Sequence, residues 1–110
     1  MGIQDWSEDI ILVSLACEPE MGEELQFVID SVTENAGRDV VIDFADVDIV
    51  TSSSIAKLLK LRETLAGCGH RIVFCCVDAK TKKIFSLTGL GNTFEFVDDQ
   101  FVALAGLQLT

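Results

Sequence analysis

The sequence is poor in basic residues. Its 110 residues include 8 lysines and arginines against 18 aspartates and glutamates, which gives a net charge of −10. Nucleic-acid phosphates and anionic membrane surfaces repel such a charge, so we do not expect nucleic-acid binding. The few bases cluster in residues 80–85 (KTKKIF), a pattern that is more typical of a solvated helix face than of a binding patch.

Long hydrophobic runs and targeting signals are also missing. Although 49% of the residues are hydrophobic, the apolar runs stay well below the ~20 residues that a membrane-spanning helix needs. The first ten residues lack the basic start and the apolar core of a secretory signal. At this length we expect one domain, residues 1–110, in a soluble, cytoplasmic protein without membrane insertion.

Residues typical of catalytic and metal sites are scarce. The one histidine, His70, lies in the turn GCGH and gives little basis for a catalytic triad, and no GxSxG motif or phosphate-binding glycine loop is present. Four cysteines, Cys17, Cys68, Cys75 and Cys76, have no metal-ligand spacing. On a strand, the adjacent pair would point to opposite faces, and we interpret all four as small buried hydrophobic residues. We therefore expect no enzymatic activity, no metal ion and no other cofactor.

Strand-like and helix-like segments alternate along the chain. Strands are predicted over residues 9–16, 39–44, 71–77 and 93–97, with a possible edge strand over 3–6; helices are predicted over 18–35, from 52 to about 66, over 79–87 and over 98–107. Connections of this length favour parallel strands joined by right-handed crossovers. We predict an α/β domain with four or five mostly parallel strands and about four helices, mainly on one face.

A run of hydroxyl side chains, Thr51, Ser52, Ser53 and Ser54, lies where strand 39–44 is followed by a helix. Ligands and reactive groups collect at this end of the strands in α/β proteins. One hydroxyl is explained as the N-cap of the helix, and capping alone would need no function. A phosphate on a serine here would lie beside free N–H groups, and it would add a charge of about −1.5 to −2 to an interface. The run is therefore a candidate phosphorylation switch.

Two long segments resemble the STAS domains, a family named for sulfate transporters and anti-sigma factor antagonists. VVIDFADVDIVTSSSIAKLLKL resembles the strand, the D-S-S-G-L-G loop and the helix of that family. GHRIVFCCVDAKTKKIFSLTGLGNTFEFVDD resembles its next strand, its V-K-K-x-F-x-x-T-G-L helix and its last strand. The resemblance extends over nearly the whole chain, as a single STAS domain with the STAS-like α/β fold.

The resemblance implies a partner-switching protein without catalysis, of the anti-sigma factor antagonist kind. The unphosphorylated domain would bind a serine kinase that has a histidine-kinase-like ATPase fold and acts as the anti-sigma factor. Phosphorylation would release the kinase, and a PP2C-type phosphatase would restore binding. By position, Ser52 matches the phosphorylated serine, with Ser53 and Thr51 as alternative acceptors. The implied partner-binding residues are Thr51, Ser52, Ser53, Ser54, Ile55 and Lys57.

The loop departs from the family pattern at three positions. Thr51 replaces the usual aspartate, and Ser54 and Ala56 replace glycines, which adds Cβ atoms where a partner's backbone normally approaches. A second hypothesis is therefore a constitutive STAS scaffold subunit, such as the small component of a lipid-transport ABC complex, in which Ser52 is not phosphorylated. A third hypothesis, nucleotide binding or catalysis, depends only on the polar loop and the nearby lysines.

Overall fold

The computed structural model describes residues 2–34 and 37–108. The strands are β1 (Gly2–Asp5), β2 (Ile10–Ser14), β3 (Asp39–Asp43), β4 (Ile72–Cys75) and β5 (Glu95–Val97), and the helices are α1 (Glu20–Glu34), α2 (Ser52–Gly67), α3 (Ala79–Leu87) and α4 (Gln100–Gln108). Helix α3 has its predicted bounds, but the apolar runs predict longer strands than those observed. The reason is that apolar loop residues next to the strands, such as Leu15, Phe44 and Phe94, are also buried in the core.

The five strands form one sheet in sequential order, β1-β2-β3-β4-β5. Strand β1 is antiparallel to β2, and the other three neighbouring pairs are parallel. The register aligns Leu12, Val41 and Val73 across the three central strands. The predicted α/β fold with four or five mostly parallel strands is therefore confirmed.

Helices α1, α2 and α3 pack against one face of the sheet, and α4 packs against the other. Right-handed crossovers between sequential parallel strands place their helices on the same face. Helix α4 follows the last strand and is not a crossover, so this rule does not apply to it. Its Ala103, Leu104 and Leu107 pack against the second sheet face. The prediction that the helices lie mainly on one face is confirmed.

Within the described residues, no helix has the length and apolar composition needed to cross a membrane.

A cluster of phenylalanines fills the core between the sheet and the crossover helices. The ring of Phe74, on β4, lies 4.5 Å from that of Phe94, 4.9 Å from Phe44, 5.6 Å from Phe96 and 5.8 Å from Phe85, measured between centroids. Phe44 directly follows β3, so the cluster fixes the start of the segment that leads to the serine run.

The TGL segment ends helix α3. Gly89 has a φ of +79°, a left-handed conformation that favours glycine. Its N–H donates to the carbonyl of Ser86 at 3.1 Å, and the N–H of Leu90 donates to that of Phe85 at 2.7 Å. These two bonds satisfy carbonyls that the end of a helix leaves free. The T-G-L part of the family motif, residues 88–90, therefore has a structural role as the end of helix α3.

Two cysteines differ from what the sequence predicts. Cys17 and Cys68 are exposed and not buried, because both lie outside the strands and helices that pack against the sheet. His70 is half-buried, and its Nδ1 lies 3.1 Å from Oδ1 of Asp39. This pair lies at the amino ends of β3 and β4, the opposite end of the sheet from the serine run.

Candidate functional site

Helix α2 begins at the serine run, and Thr51 is its N-cap. Thr51 has an extended backbone (φ −103°, ψ 165°), and its Oγ1 accepts a hydrogen bond from the N–H of Ser54 at 3.1 Å. Its carbonyl accepts the first helical bond, from the N–H of Ile55, at 3.0 Å. Thr51 is therefore the hydroxyl residue that caps the helix.

A carboxylate from the neighbouring loop contacts the start of α2. Glu18 lies between β2 and α1, and its Oε1 accepts a hydrogen bond from the hydroxyl of Ser54. The single hydroxyl proton of Thr51 has two acceptors, Oε1 of Glu18 at 3.3 Å and Oγ of Ser54 at 3.2 Å. The side chain of Ser54 points inward, since the residue is only 1% exposed. The negative carboxylate of Glu18 also lies at the positive end of the α2 dipole, where it is stabilising.

Hydrogen bonds on both sides of Glu18 fix the loop that carries it. The N–H of Ala16 donates to Oε1 of the buried Glu24, on α1, at 2.7 Å. The amine of Lys57, on α2, donates to the carbonyl of Gly22 at 3.1 Å. The start of α1 is thus attached to α2, and Glu18 lies in the β2–α1 loop, between the two bonded positions Ala16 and Gly22.

The predicted site residues divide into two groups. Thr51, Ser52 and Ser53 are exposed together at the start of α2. Within residues 2–34 and 37–108, the hydroxyls of Ser52 and Ser53 make no hydrogen bond. Ser54 faces inward, Ile55 packs partly against the core and Lys57 is hydrogen-bonded to α1.

The surface next to these hydroxyls is acidic and includes the large exposed apolar side chain of Ile49. Asp46 and Asp48, in the loop between β3 and α2, are exposed, and Ile49 in the same loop is 55% exposed. The thiol of Cys17 donates to the carbonyl of Asp46 at 2.6 Å, which joins this loop to the one that carries Glu18.

The contribution of Glu18 was not predicted from the sequence. The carboxyl ends of the parallel strands β2 and β3 meet at one edge of the sheet, so the loops that follow them are neighbours. The available signal was an acidic residue two positions after the apolar segment 9–16, and nothing within the serine run itself indicates the contact.

Replacing Thr51 with valine is expected to lower the free energy of unfolding by about 1 kcal/mol, because valine keeps the shape of threonine but cannot accept the N–H bond of Ser54. Urea denaturation measures the loss. The matched control is Ser53→Ala, which removes an exposed hydroxyl that makes no hydrogen bond to any residue the structure describes, and it should stay within about 0.5 kcal/mol of the parent chain. Equal stabilities of the two variants would contradict the capping role.

A second cluster of chemically reactive groups lies at the carboxyl ends of β3 and β4. A carboxylate oxygen of Asp43 and the sulfurs of Cys75 and Cys76 all lie within 4.8 Å of one another. This corrects the expectation that the two cysteines point to opposite faces, because Cys76 follows the end of β4 and has a φ of +59°. Burial, and then the neighbouring Asp43 carboxylate, raise the pKa of both thiols.

The carboxylate of Asp43 is held in place by two hydrogen-bond donors. Its Oδ1 accepts from the N–H of Ala45 at 2.8 Å, and its Oδ2 accepts from the side-chain amide of Gln100 at 2.7 Å. Gln100 is the first residue of α4, so Asp43 connects the end of β3 to that helix.

The comparisons with known proteins agree with this fold. A protein-family model described as "STAS domain" matches residues 21–100. No curated protein sequence gives a significant match. A candidate anti-sigma factor antagonist from Thermotoga maritima has a TM-score of 0.79 at 14% identity, over 93% of this chain and 90% of that chain. The anti-sigma factor antagonist SpoIIAA in its unphosphorylated form has a TM-score of 0.78 at 13% identity, over 97% of this chain and 96% of that chain.

SpoIIAA from Bacillus is also similar in its phosphorylated form, with a TM-score of 0.71 at 13% identity, over 99% of this chain and 98% of that chain. At these identities the structural neighbours show the fold alone. The family model covers most of the chain, and its match confirms the resemblance noted in the sequence. The chain therefore belongs to the STAS domain family.

Proposed function

We propose that this chain is a cytoplasmic partner-switching protein of the anti-sigma factor antagonist kind, without catalytic activity of its own. It binds a serine kinase of histidine-kinase-like ATPase fold that acts as an anti-sigma factor, and phosphorylation of Ser52 releases it. A PP2C-type phosphatase reverses the modification. The observation that carries the proposal is the exposure of Ser52 at the start of α2, with a hydroxyl that makes no hydrogen bond within the described residues.

The hydrogen bonds around the serine run support Ser52 as the acceptor. Thr51 caps α2 and contacts Glu18, so its phosphorylation would disrupt the helix start. Ser54 is buried and is closed to a kinase. Ser52 and Ser53 are left as exposed hydroxyls, and the resemblance favours Ser52. Ser53 is the alternative acceptor.

A phosphate on Ser52 would meet two opposing electrostatic effects. The first N–H groups of α2 have no helical partner, and together with the helix dipole they favour a phosphate. The carboxylate of Glu18, and the exposed Asp46 and Asp48 in the adjoining loop, carry the same sign and repel it. Phosphorylation therefore makes a negative surface more negative without unfolding the helix start.

We define the docking surface as Ile49, Thr51, Ser52 and Ser53. Ile49 is an exposed apolar side chain that a partner can bury, and the acidic Asp46 and Asp48 precede it in the same loop. Charge complementarity requires a partner surface that is apolar at its centre and basic at its edge. A phosphate with a charge of about −1.5 to −2 placed at the centre of such an interface would be desolvated on binding, which favours release.

A pull-down from the native host tests the proposal. Tagged parent chain and Ser52→Ala are expected to recover the same serine kinase, which mass spectrometry identifies, whereas Ser52→Asp should recover little of it. Incubation of the parent chain with that kinase and ATP should place a phosphate on Ser52. The matched control is Ser86→Asp, which adds the same charge at an exposed position on α3 and should keep the partner. Equal recovery by Ser52→Asp and the parent chain would contradict the proposal.

The scaffold hypothesis is the second candidate function. It is favoured by Phe101 and Val102 on α4, which are 78% and 46% exposed on an element that packs on the other face of the sheet from α2. In this case an ATPase of a lipid-transport ABC complex would copurify with the parent chain and with Ser52→Asp alike. Phe101→Asp would then weaken its recovery, and no phosphate would be found on Ser52 in cells.

A further inference from the structure

We propose that Asp43, Cys75 and Cys76 form a binding site for a thiophilic divalent cation, with Zn²⁺ as the expected occupant. The three ligand atoms come from the ends of two adjacent strands and lie within 4.8 Å of one another. Two sulfurs and one carboxylate oxygen are ligands that zinc accepts, with a fourth position left for water or another donor. The site shares no residue with the docking surface and does not depend on its function.

The spacing of the three atoms is close to what the ion requires. Zinc–sulfur bonds of about 2.3 Å in a tetrahedral arrangement separate two sulfurs by about 3.8 Å. The three observed distances between ligand atoms are at most 4.8 Å, so small side-chain movements would bring the atoms to the separations that zinc requires. The φ of +59° at Cys76 makes this possible, since an extended backbone there would direct the two adjacent cysteines to opposite faces.

Hydrogen bonds already orient the carboxylate of Asp43, as in a preorganised metal ligand. Ala45 N–H and the Gln100 amide fix its two oxygens, and an ionised carboxylate oxygen has a further lone pair for a metal. Such outer hydrogen bonds orient the ligands of known metal sites. Cys75 is buried but Cys76 is half-buried, which gives the ion a path from solvent.

The charges and the ligand types select the class of ion. On binding, each thiol forms a metal–sulfur bond and releases its proton to solvent, so two thiolates and one carboxylate face a 2+ ion. Soft sulfur ligands favour Zn²⁺ and its relatives over Mg²⁺ and Ca²⁺, which prefer oxygen ligands.

Cadmium titration of a two-cysteine background tests the proposal. Cys17→Ser and Cys68→Ser remove the exposed thiols and leave the pair unchanged. This background is expected to bind one Cd²⁺ per chain, with the ultraviolet Cd–thiolate absorption of two sulfurs, and Zn²⁺ should displace the cadmium. Cys76→Ser in the same background should weaken binding by at least about 100-fold, since even loss of an outer-shell partner costs about 10–100-fold.

Two measurements protect the result from a folding artefact. Cys76 is only half-buried, so Cys76→Ser should keep the circular dichroism spectrum of the background. Zn²⁺ should raise the melting temperature of the background by mass action and leave that of Cys76→Ser unchanged. The absence of thiolate absorption in the background, or equal Cd²⁺ affinity in the folded Cys76→Ser variant, would overturn the proposal. Either result leaves the Ser52 experiment unaffected.

Discussion

Replacing Phe74 with alanine is expected to lower the free energy of unfolding by about 3–5 kcal/mol, the usual cost of truncating a buried phenylalanine. Phe74, on β4, is fully buried, and four other phenylalanine rings lie within 5.8 Å of its own, centroid to centroid. The surrounding residues come from the sheet, from α3 and from two loops, so no single element can move to fill the cavity. Urea denaturation measures the change, with the m-value (the slope of the unfolding free energy against urea concentration) expected to equal that of the parent chain.

The same substitution on the surface provides the control. Phe101 is 78% exposed, so Phe101→Ala should change the free energy of unfolding by no more than about 0.5 kcal/mol. Losses of similar size at both positions would show that Phe74 is not at the centre of the core. Because Phe44 joins this cluster to the loop before α2, Phe74→Ala should also loosen the docking surface, which hydrogen exchange at that loop would detect.

The order and the type of the elements were predictable from the sequence, and the reason is their strong periodicity. Segment 79–87 has the bounds of α3 because Asp78 caps its start, accepting the N–H of Thr81 at 2.7 Å, and Gly89 ends it. Sequential strands with helical connections leave few alternatives to a parallel sheet. The strand ends were less predictable, because a buried apolar residue such as Phe44 looks the same in a strand and in a packed loop.

The candidate site was predictable only in part. The serine run stands out because a strand must end and a helix must begin there. The sequence does not say which hydroxyl is free, because that depends on Glu18, which lies 36 residues before Ser54. The cluster at Asp43 was missed for a similar reason. The apolar segment RIVFCCV indicates a strand throughout, and the positive φ of Cys76 that brings the sulfurs together leaves no local signal.

Replacing Ser54 with aspartate is expected to destabilise the protein by about 3–5 kcal/mol, because it buries an uncompensated charge. Ser54 is 1% exposed and its hydroxyl contacts the carboxylate of Glu18, so the new carboxylate would meet a like charge away from solvent. Ser52→Asp adds the same group two residues earlier in the chain. There it is exposed at the positive end of the α2 dipole, which opposes the repulsion from the nearby carboxylates, so it should change the stability by less than about 1 kcal/mol.

Urea denaturation of the two variants in parallel checks this difference. Equal stabilities would mean that Ser54 is not buried in contact with Glu18. The comparison also decides how partner-binding experiments are interpreted. Loss of the partner in Ser52→Asp, at unchanged stability, reports the effect of negative charge on the docking surface. Loss of the partner in Ser54→Asp reports damage to the helix start, since Glu18 and Ser54 together position Thr51 and the exposed serines beside it.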